Sequence, residues 1–229
     1  MPHQIDYEKL RERISQARGG AKGDLSTLDP KRTAHVIVDL QNGFMEEGAP
    51  VEVPAARNIV DEVKRLSRAI RKAGGTNVFL RYTTTDLDDG WSIMKQRLGP
   101  AAAAHSDGFT KGAHYWQLWP ELDVSDEDVM IEKSRFSAFS ANASPLHAEL
   151  QKRSIDTVII TGTLTNCCCE STARDAMQHN YRVLMVTDGN AALSDAEHEA
   201  TLYSLGFIFA DLHSTDELVE QLAKERLPA

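Results

Sequence analysis

The sequence of 229 residues has only three cysteines, and they are consecutive, Cys167 to Cys169. Adjacent cysteines cannot build a framework of long-range disulfides, and no second ligand cluster suggests a structural zinc site. Apolar runs long enough to cross a bilayer are also missing, so we expect no membrane span. This cysteine usage fits a reducing compartment, and we expect a cytoplasmic protein.

An excess of positive charge is lacking as well. The chain carries 34 Asp and Glu against 25 Lys and Arg, for a formal net charge of -9. Because affinity for a phosphate backbone depends on clustered Lys and Arg, nucleic acid is a poor candidate partner. The polar N-terminus lacks the apolar block of a signal peptide, so secretion is not expected. The remaining composition, 41% hydrophobic, is ordinary for one globular domain of this length.

Four apolar runs without polar alternation predict strands that are buried on both faces. They span residues 34–40, 77–82, 156–162 and 181–188. Segments with helical spacing lie between them, and the regular alternation of strand and helix favours right-handed crossovers. The sequence therefore predicts an α/β protein with a three-layer α/β/α architecture and a mostly parallel, Rossmann-like sheet.

Residues 1–32 precede this alternation and are predicted to form an N-terminal arm, separate from a domain that spans 33–229. Apolar residues at helical spacing predict a helix from Tyr7 to Ala17, followed by a loop rich in Gly, Ser and Pro. A helix of about 11 residues has little intrinsic stability in water, so we expect it to dock on a surface. The alternative is a frayed terminus.

Two polar residues fall where strands of the predicted sheet end, which is where the ligand crevice of such a sheet lies. Asp39 follows the first apolar run, and Cys168 lies in the first turn of a helix expected to begin near Asn166. Free N–H groups and the helix dipole at that turn predict a lowered pKa for Cys168, which would make it a nucleophile. Asp39 could take its proton. The alternatives are a small buried cysteine and a carboxylate that caps a turn.

Lys133 comes just after a short apolar run that could be an edge strand or an inner strand. A lysine in that position could hold Asp39 or polarise a substrate. Taken alone, however, a solvated surface lysine is the more common situation.

Two segments of the chain resemble motifs of the isochorismatase-like cysteine hydrolases. GTLTNCC, at 162–168, is similar to the nucleophile signature of that family: glycine, two residues, Thr-Asn or Thr-Asp, one residue and cysteine. In this register the nucleophile is Cys168. VIVDLQNGF, at 36–44, is similar to the family's first strand and maps its aspartate to Asp39.

A third segment, EKSRFSAF at 132–139, resembles the lysine segment of the family and maps the lysine to Lys133. The three segments occur in the family's order, and the resemblance covers about residues 33 to 225. It implies that Asp39, Lys133 and Cys168 form a catalytic triad. It also implies a cis peptide bond before Leu164, with an oxyanion hole made by the N–H groups of Leu164 and Cys168.

The branches of the family differ in chemistry, and two features select among them. The isochorismatase branch generally lacks the nucleophilic cysteine that is present here. Metal-dependent nicotinamidases carry histidines after the second strand, and residues 81–97 contain none. Asp86, Asp88 and Asp89 could bind a cation, although a solvated acidic loop is the favoured interpretation. We therefore expect neither a metal nor a cofactor.

The resemblance implies an amidohydrolase that cleaves a C–N bond of a small carbamoyl, ureido or amide compound through a thioester. Two alternatives remain open: a nicotinamidase-type amidase, and a noncatalytic, redox-responsive binding protein of the same fold. Because the family commonly forms oligomers, we also expect a homo-oligomer, a dimer or a tetramer, with the arm packed across a subunit boundary.

Phe44, from the first motif, and Trp91, from the variable segment, are the candidate substrate-binding residues. For Trp91 and the other aromatic residues of that segment, ordinary packing is the more common role. Those others are Tyr115, Trp116 and Trp119. Six histidines show no metal-ligand spacing, and most of them are expected at the surface or as caps. They are His105, His114, His147, His179, His198 and His213.

Overall fold

The computed structural model of the chain describes residues 2–85 and 90–224. The strands are β1 (Thr33–Val38), β2 (Thr76–Tyr82), β3 (Val129–Lys133), β4 (Thr157–Thr163), β5 (Arg182–Ala191) and β6 (Asp211–His213). The α-helices are α1 (Tyr7–Ala17), α2 (Asn42–Met45), α3 (Val60–Ala73), α4 (Ser92–Leu98), α5 (Ala102–Gly108), α6 (Leu146–Lys152), α7 (Glu170–Gln178), α8 (Asp195–Ile208) and α9 (Thr215–Lys224). Short 3-10 helices span Pro30–Arg32, Pro54–Ile59 and Gly99–Ala101, and a π-helical turn, Thr165–Cys169, leads into α7.

All six strands form one parallel sheet, in the order β3-β2-β1-β4-β5-β6. Side chains of a strand point alternately to opposite faces, and both faces of this sheet are covered. In β1, Val36 packs in the cluster that includes residues of α1, α6, α7 and α8. Ile159 of β4 points the other way and packs with residues of α3 and α9. The predicted three-layer α/β/α fold is confirmed.

The four predicted strands correspond to β1, β2, β4 and β5, the short apolar run before Lys133 is β3, and the structure adds β6. β3 is an edge strand that ends at Lys133. β6 has only three residues, which is too short for a readable apolar pattern. β5 continues to Ala191 through a polar TDGNA stretch, where its register with β4 shifts between Ile160 and Gly162. Hydrogen bonding to a neighbouring strand, rather than apolar periodicity, decides these elements.

The predicted arm helix is confirmed as α1, but it docks on its own chain. Leu10 and Ile14 are 1% and 5% exposed and belong to the main core cluster together with residues of α8. Gly206 of α8 makes room for this contact, since a Cβ there would lie 2.5 Å from Ile14 Cδ1. Arg18 beyond the helix pairs with Asp211 at 2.8 Å. The apolar stripe of the helix is thus covered within one chain, and contact of the arm with a second subunit stays a prediction.

Among residues 2–85 and 90–224, no helix combines the length and the hydropathy that a membrane span requires.

Candidate active site

The site lies at the carboxyl ends of β1 and β4, where the order of the strands reverses. The chain runs outward from β1 to β2 and β3, and then returns to place β4 on the other side of β1. Val38, the last residue of β1, is paired with Gly162 of β4. Gly162 has φ +118°, and a Cβ on it would lie 2.1 Å from the Val38 carbonyl oxygen. Glycine thus permits the close approach of the two strand ends that frame the crevice.

Asp39, directly after β1, has a left-handed backbone with φ +52°. Aspartate tolerates this conformation better than most residues, and the turn directs its carboxylate inward. Its Oδ2 lies 2.7 Å from Nζ of Lys133, and both side chains are 0% exposed. The lysine extends from the edge strand past Tyr82 of β2, whose ring centroid is 5.5 Å from Nζ. A solvated surface lysine is excluded at this position.

The buried pair shifts both pKa values upward. Burial raises the pKa of Asp39, and the attraction of Lys133 only partly opposes it. For Lys133, burial alone would lower the pKa, but the charges of Asp39 and Cys168 outweigh it and raise the pKa. Lys133 Nζ also donates to the Arg135 carbonyl at 3.0 Å, which holds the ammonium group in place. The result is a carboxylate that is more basic than usual beside a lysine that stays charged.

The residue segment that leads out of β4 presents Cys168 to this pair. The Thr163–Leu164 peptide bond is cis, as the resemblance implies. In the π-helical turn that follows, the Leu164 carbonyl accepts hydrogen bonds from the N–H groups of Cys167 at 3.1 Å and Cys169 at 3.2 Å. The Cys168 N–H lies between these two donors along the chain. The cysteine therefore sits in the first turn of the helix, as predicted.

The Cys168 thiol lies within hydrogen-bonding reach of both the Asp39 carboxylate and the Lys133 ammonium group. Its pKa nevertheless differs from the prediction. A hydrogen bond with the Cys167 sulfur and burial raise the pKa of Cys168 well above its ordinary value, although Lys133 opposes the shift. The expectation of a lowered pKa at the helix N-terminus was wrong, because the Cys168 thiol is hydrogen-bonded to Cys167 and removed from water. The resting group is a thiol next to a basic carboxylate.

The other two cysteines occupy different environments. Cys169 is wholly buried in the main core cluster, which agrees with a packing role, and burial raises its pKa. Cys167 is half-buried and packs against that cluster. The pKa of the Cys167 thiol is lowered, chiefly by its hydrogen bond with Cys168. Cys167 is thus the most accessible of the three thiols.

Gln41 also supports the site, and it was missing from the candidate residues predicted from the sequence. Its Nε2 donates to the carbonyls of Tyr82 and Trp116, each at 2.9 Å, and its Oε1 accepts from the Tyr82 N–H at 2.7 Å. The amide is 0% exposed. Gln41 therefore ties the loop after β1 to the end of β2 and to the variable segment. Its position in the Asp39 motif was the available signal.

The two predicted substrate-binding residues belong to one hydrophobic cluster, in which Phe44 is a buried member and Trp91 packs against it. Phe44 is buried, with its ring centroid 5.0 Å from that of Phe109. Trp91 is half-buried and packs on the segment after Lys133, with its ring centroid 4.9 Å from Phe136 and 4.8 Å from the Arg135 guanidinium carbon. Of the other aromatic residues, Trp116 is buried and donates to Thr83 Oγ1 at 2.8 Å, and Tyr115 and Trp119 are half-buried. Contact of Phe44 and Trp91 with a substrate stays a prediction.

Comparison with known proteins adds sequence relationships to this geometry. The isochorismatase domain family matches residues 33–217. The isochorismatase family protein YwoC of Bacillus subtilis is 33% identical, with 85% of this chain and 96% of that protein covered. Nicotinamidase 3 of Arabidopsis thaliana is 31% identical, with 84% of this chain and 89% of that protein covered. The chain belongs to the isochorismatase family.

Two further comparisons agree with this membership. The ureidoacrylate amidohydrolase RutB of Cronobacter sakazakii is 26% identical, with 90% of this chain and 95% of that protein covered. The crystal structure of a cysteine hydrolase from Pseudomonas syringae has a TM-score of 0.79 and 26% identity, and covers 86% of this chain and 95% of that one. The protein is an isochorismatase-family hydrolase.

Most of the six histidines were expected at the surface or as caps, but three of the six are buried in this isochorismatase-family hydrolase. They are His105, His198 and His213. The expectation was wrong for these three because tertiary contacts cover them. Within residues 2–85 and 90–224, no three His, Cys, Asp or Glu side chains converge in a metal-binding arrangement. Asp86, Asp88 and Asp89 lie outside the described residues.

Two wholly buried histidines predict a loss of stability in acid. Burial lowers the pKa of His35 to about 3 and that of His198 to about 4. Between pH 6.5 and 4 the unfolded chain therefore binds protons that the folded chain refuses, and the free energy of unfolding falls by about 1.4 kcal/mol per pH unit for each ring. Urea titrations at a series of pH values measure this slope.

His35→Gln is the matched variant for that measurement, since its amide can still pair with Thr161 Oγ1, which lies 2.8 Å from His35 Nε2. The variant should reduce the slope by about 1.4 kcal/mol per pH unit between pH 6 and 4.5. An unchanged slope would show that His35 is protonated in the folded protein.

Proposed function

We propose that this isochorismatase-family hydrolase is a cysteine-dependent amidohydrolase, which cleaves a C–N bond of a small carbamoyl, ureido or amide compound through a thioester. The observation that carries the proposal is the wholly buried Asp39–Lys133 pair at 2.7 Å, in reach of the Cys168 thiol at the strand switch point. Such a group of nucleophile, base and orienting charge is what covalent hydrolysis requires.

In the first half of the proposed reaction, Asp39 takes the proton of Cys168, and the sulfur forms a bond to the substrate carbonyl carbon. The raised pKa of Asp39 suits this role, because a more basic carboxylate is a better acceptor for a thiol proton. Lys133 stabilises the thiolate as its charge develops. When the tetrahedral intermediate collapses, the C–N bond breaks, and Asp39 returns the proton to the departing nitrogen.

The developing oxyanion would be bound by the N–H groups of Leu164 and Cys168. The Leu164 carbonyl accepts from the Cys167 and Cys169 N–H groups, which flank the Cys168 N–H along the chain and fix the turn that carries it. Each oxyanion-hole donor of this kind lowers the activation free energy by about 3 kcal/mol. In the second half, Asp39 deprotonates a water, the water oxygen bonds to the carbonyl carbon, the C–S bond breaks, and Asp39 returns the proton to the departing Cys168 sulfur.

Two relatives favour an amide-type substrate and differ in its kind. RutB is named for ureidoacrylate, a ureido compound, and nicotinamidase 3 is named for nicotinamide, an aromatic amide. The proposed pocket residues Phe44 and Trp91 are compatible with either class. Ammonia release across a panel of ureides, carbamoyl amino acids, nicotinamide and simple amides distinguishes them. No release from any member, with intact Cys168, would favour a noncatalytic binding protein.

Metal independence is a separate prediction and rests on the lack of histidine between residues 81 and 97. Dialysis against a strong chelator should leave the rate of ammonia release unchanged, because the thiolate needs no metal-bound water. A heat-inactivated sample of the protein serves as the blank. Activity that disappears with chelator and returns with zinc, iron or manganese would place the chain with the metal-dependent nicotinamidases.

A further inference from the structure

The π-helical turn that carries Cys168 is anchored by a side chain outside the proposed triad. Thr165, the first residue of that turn, is wholly buried, and its Oγ1 lies 2.8 Å from Nδ1 of His198 on α8. This bond connects the turn to a helix that follows a different strand. It lies three residues before the sulfur that must reach the substrate.

The direction of this hydrogen bond follows from the other nitrogen of the ring. His198 Nε2 is 3.1 Å from the carbonyl oxygen of Thr187, which can only accept, so Nε2 holds the proton. The ring is neutral because burial, and next the nearby His3, lower the pKa of His198 to about 4. Nδ1 therefore accepts, and the Thr165 hydroxyl donates. The histidine is a fixed acceptor for the turn.

The N-terminal arm covers this imidazole. The His3 ring stacks on that of His198, with centroids 4.2 Å apart and planes at 13°. His3 Nδ1 lies 2.7 Å from Asp195 Oδ1, and its Nε2 accepts from the Ala192 N–H at 3.0 Å. The Tyr7 hydroxyl lies 3.3 Å from His198 Nε2. Both arm residues thus contact the ring that holds the turn.

We propose that His198 is a positioning residue for Cys168, acting through Thr165, and that His3 and Tyr7 of the arm hold its ring in place. This inference rests on the proposed cysteine chemistry and extends it to the arm. A misplaced nucleophile loses rate steeply, since a displacement of about 1 Å can cost on the order of 100-fold. The backbone of Thr165 is held within the turn, since its carbonyl accepts from the Glu170 N–H, whereas its side chain provides the link to His198 on α8.

A pair of amide substitutions separates the two ends of the ring. His198→Asn places an acceptor near the position of Nδ1 and can keep the bond from Thr165. His198→Gln instead places an amide near Nε2 and keeps only the bond to Thr187. Both lose the ring, so a merely structural role would lower their melting temperatures and their kcat alike. We expect kcat to fall about 10- to 100-fold in the glutamine variant and about threefold or less in the asparagine variant, with KM little changed.

Thr165 offers a second pair that is independent of the histidine. Thr165→Ser keeps the hydroxyl, whereas Thr165→Val keeps the shape and loses the donor. The valine variant should show the loss of kcat expected for His198→Gln. The double variant Thr165→Val with His198→Gln should lose little more, because each change removes the same hydrogen bond, from Thr165 to His198. Additive losses, or equal kcat in the serine and valine variants, would overturn the proposal.

A substrate-independent readout separates this inference from the proposed function. In a Cys167→Ser background, the rate of iodoacetamide alkylation at Cys168, located by peptide mass mapping, should change in parallel with kcat among the His198 variants. If Cys168→Ser retained full turnover, the proposed function would fail. If turnover required Cys168 but the asparagine and glutamine variants had equal kcat and equal alkylation rates, only the positioning role would fail.

The arm has its own test. His3→Ala combined with Tyr7→Phe should lower kcat about three- to tenfold, because the ring loses its cover but keeps its bonds to Thr165 and Thr187. Arg13→Ala is the matched control: it removes another contact between α1 and α8, the 2.9 Å ion pair with Glu199, and leaves His198 untouched. Equal kcat in the arm double variant and the control would overturn the arm's part in the proposal.

Discussion

Cys168→Ser should lower kcat/KM by about 10⁴-fold or more, while Cys167→Ser should keep a measurable fraction of turnover. The two cysteines are adjacent, but only Cys168 is within hydrogen-bonding reach of Asp39 and Lys133 through its side chain. A serine hydroxyl there is much harder to deprotonate than a thiol, and loss of the nucleophile removes most covalent catalysis. Steady-state ammonia release with the best substrate of the panel measures both variants.

Rapid-mixing kinetics of the wild-type protein provide the control. A burst of the first product, equal in amount to the enzyme, is expected if the thioester accumulates, and Cys168→Ser should show none. Alkylated intact protein should carry the label on Cys168 once Cys167 is replaced. Full activity in Cys168→Ser, together with an inactive Cys167→Ser, would mean that the nucleophile is the neighbouring residue.

Lys133→Met should lower the free energy of unfolding by about 3 to 5 kcal/mol and abolish turnover. The substitution leaves the Asp39 carboxylate buried without its partner, at a site where both side chains are 0% exposed. Asp39→Asn should also abolish turnover, because the amide cannot accept the thiol proton. Asparagine is the suitable replacement, since it tolerates the left-handed backbone at φ +52°.

The double variant distinguishes a buried charge from a general packing defect. Asp39→Asn with Lys133→Met carries no charge at the site, so it should recover most of the stability that Lys133→Met loses, without recovering activity. Lys111→Met is the matched surface control: its side chain is 69% exposed and pairs with Glu132, so its effect should stay within about 1 kcal/mol. A double variant no more stable than Lys133→Met would show that the lysine stem, not its charge, stabilises the fold.

The sequence predicted the fold because the necessary signals are local. Continuous apolar runs identified β1, β2, β4 and β5, and helical spacing identified the arm helix Tyr7–Ala17. The short strand β6 and the polar end of β5 were missed, because pairing with a neighbouring strand defines them and leaves no periodic trace. The surface that covers α1 was also missed, since the space for Ile14 is made by Gly206, far along the chain.

The candidate triad was found by motif, and its roles stay a prediction. The structure brings Asp39, Lys133 and Cys168 together from the ends of three different strands, which no local pattern could establish. The direction of the Cys168 pKa shift was predicted wrongly. A helix N-terminus favours a thiolate, but the hydrogen bond with Cys167 and burial raise the pKa of Cys168, and both are properties of the assembled site.

The sequence by itself thus determined the alternation of β1, β2, β4 and β5 with helices, the family motifs and the identity of the candidate catalytic residues, because each depends on neighbours within a few positions. Only the tertiary structure decided that Lys133 is buried against Asp39, that Gln41 and His198 contact the site's loops, and that the arm lies on its own chain. These features depend on residues far apart in sequence, whose contacts arise when the sheet and its helical layers pack.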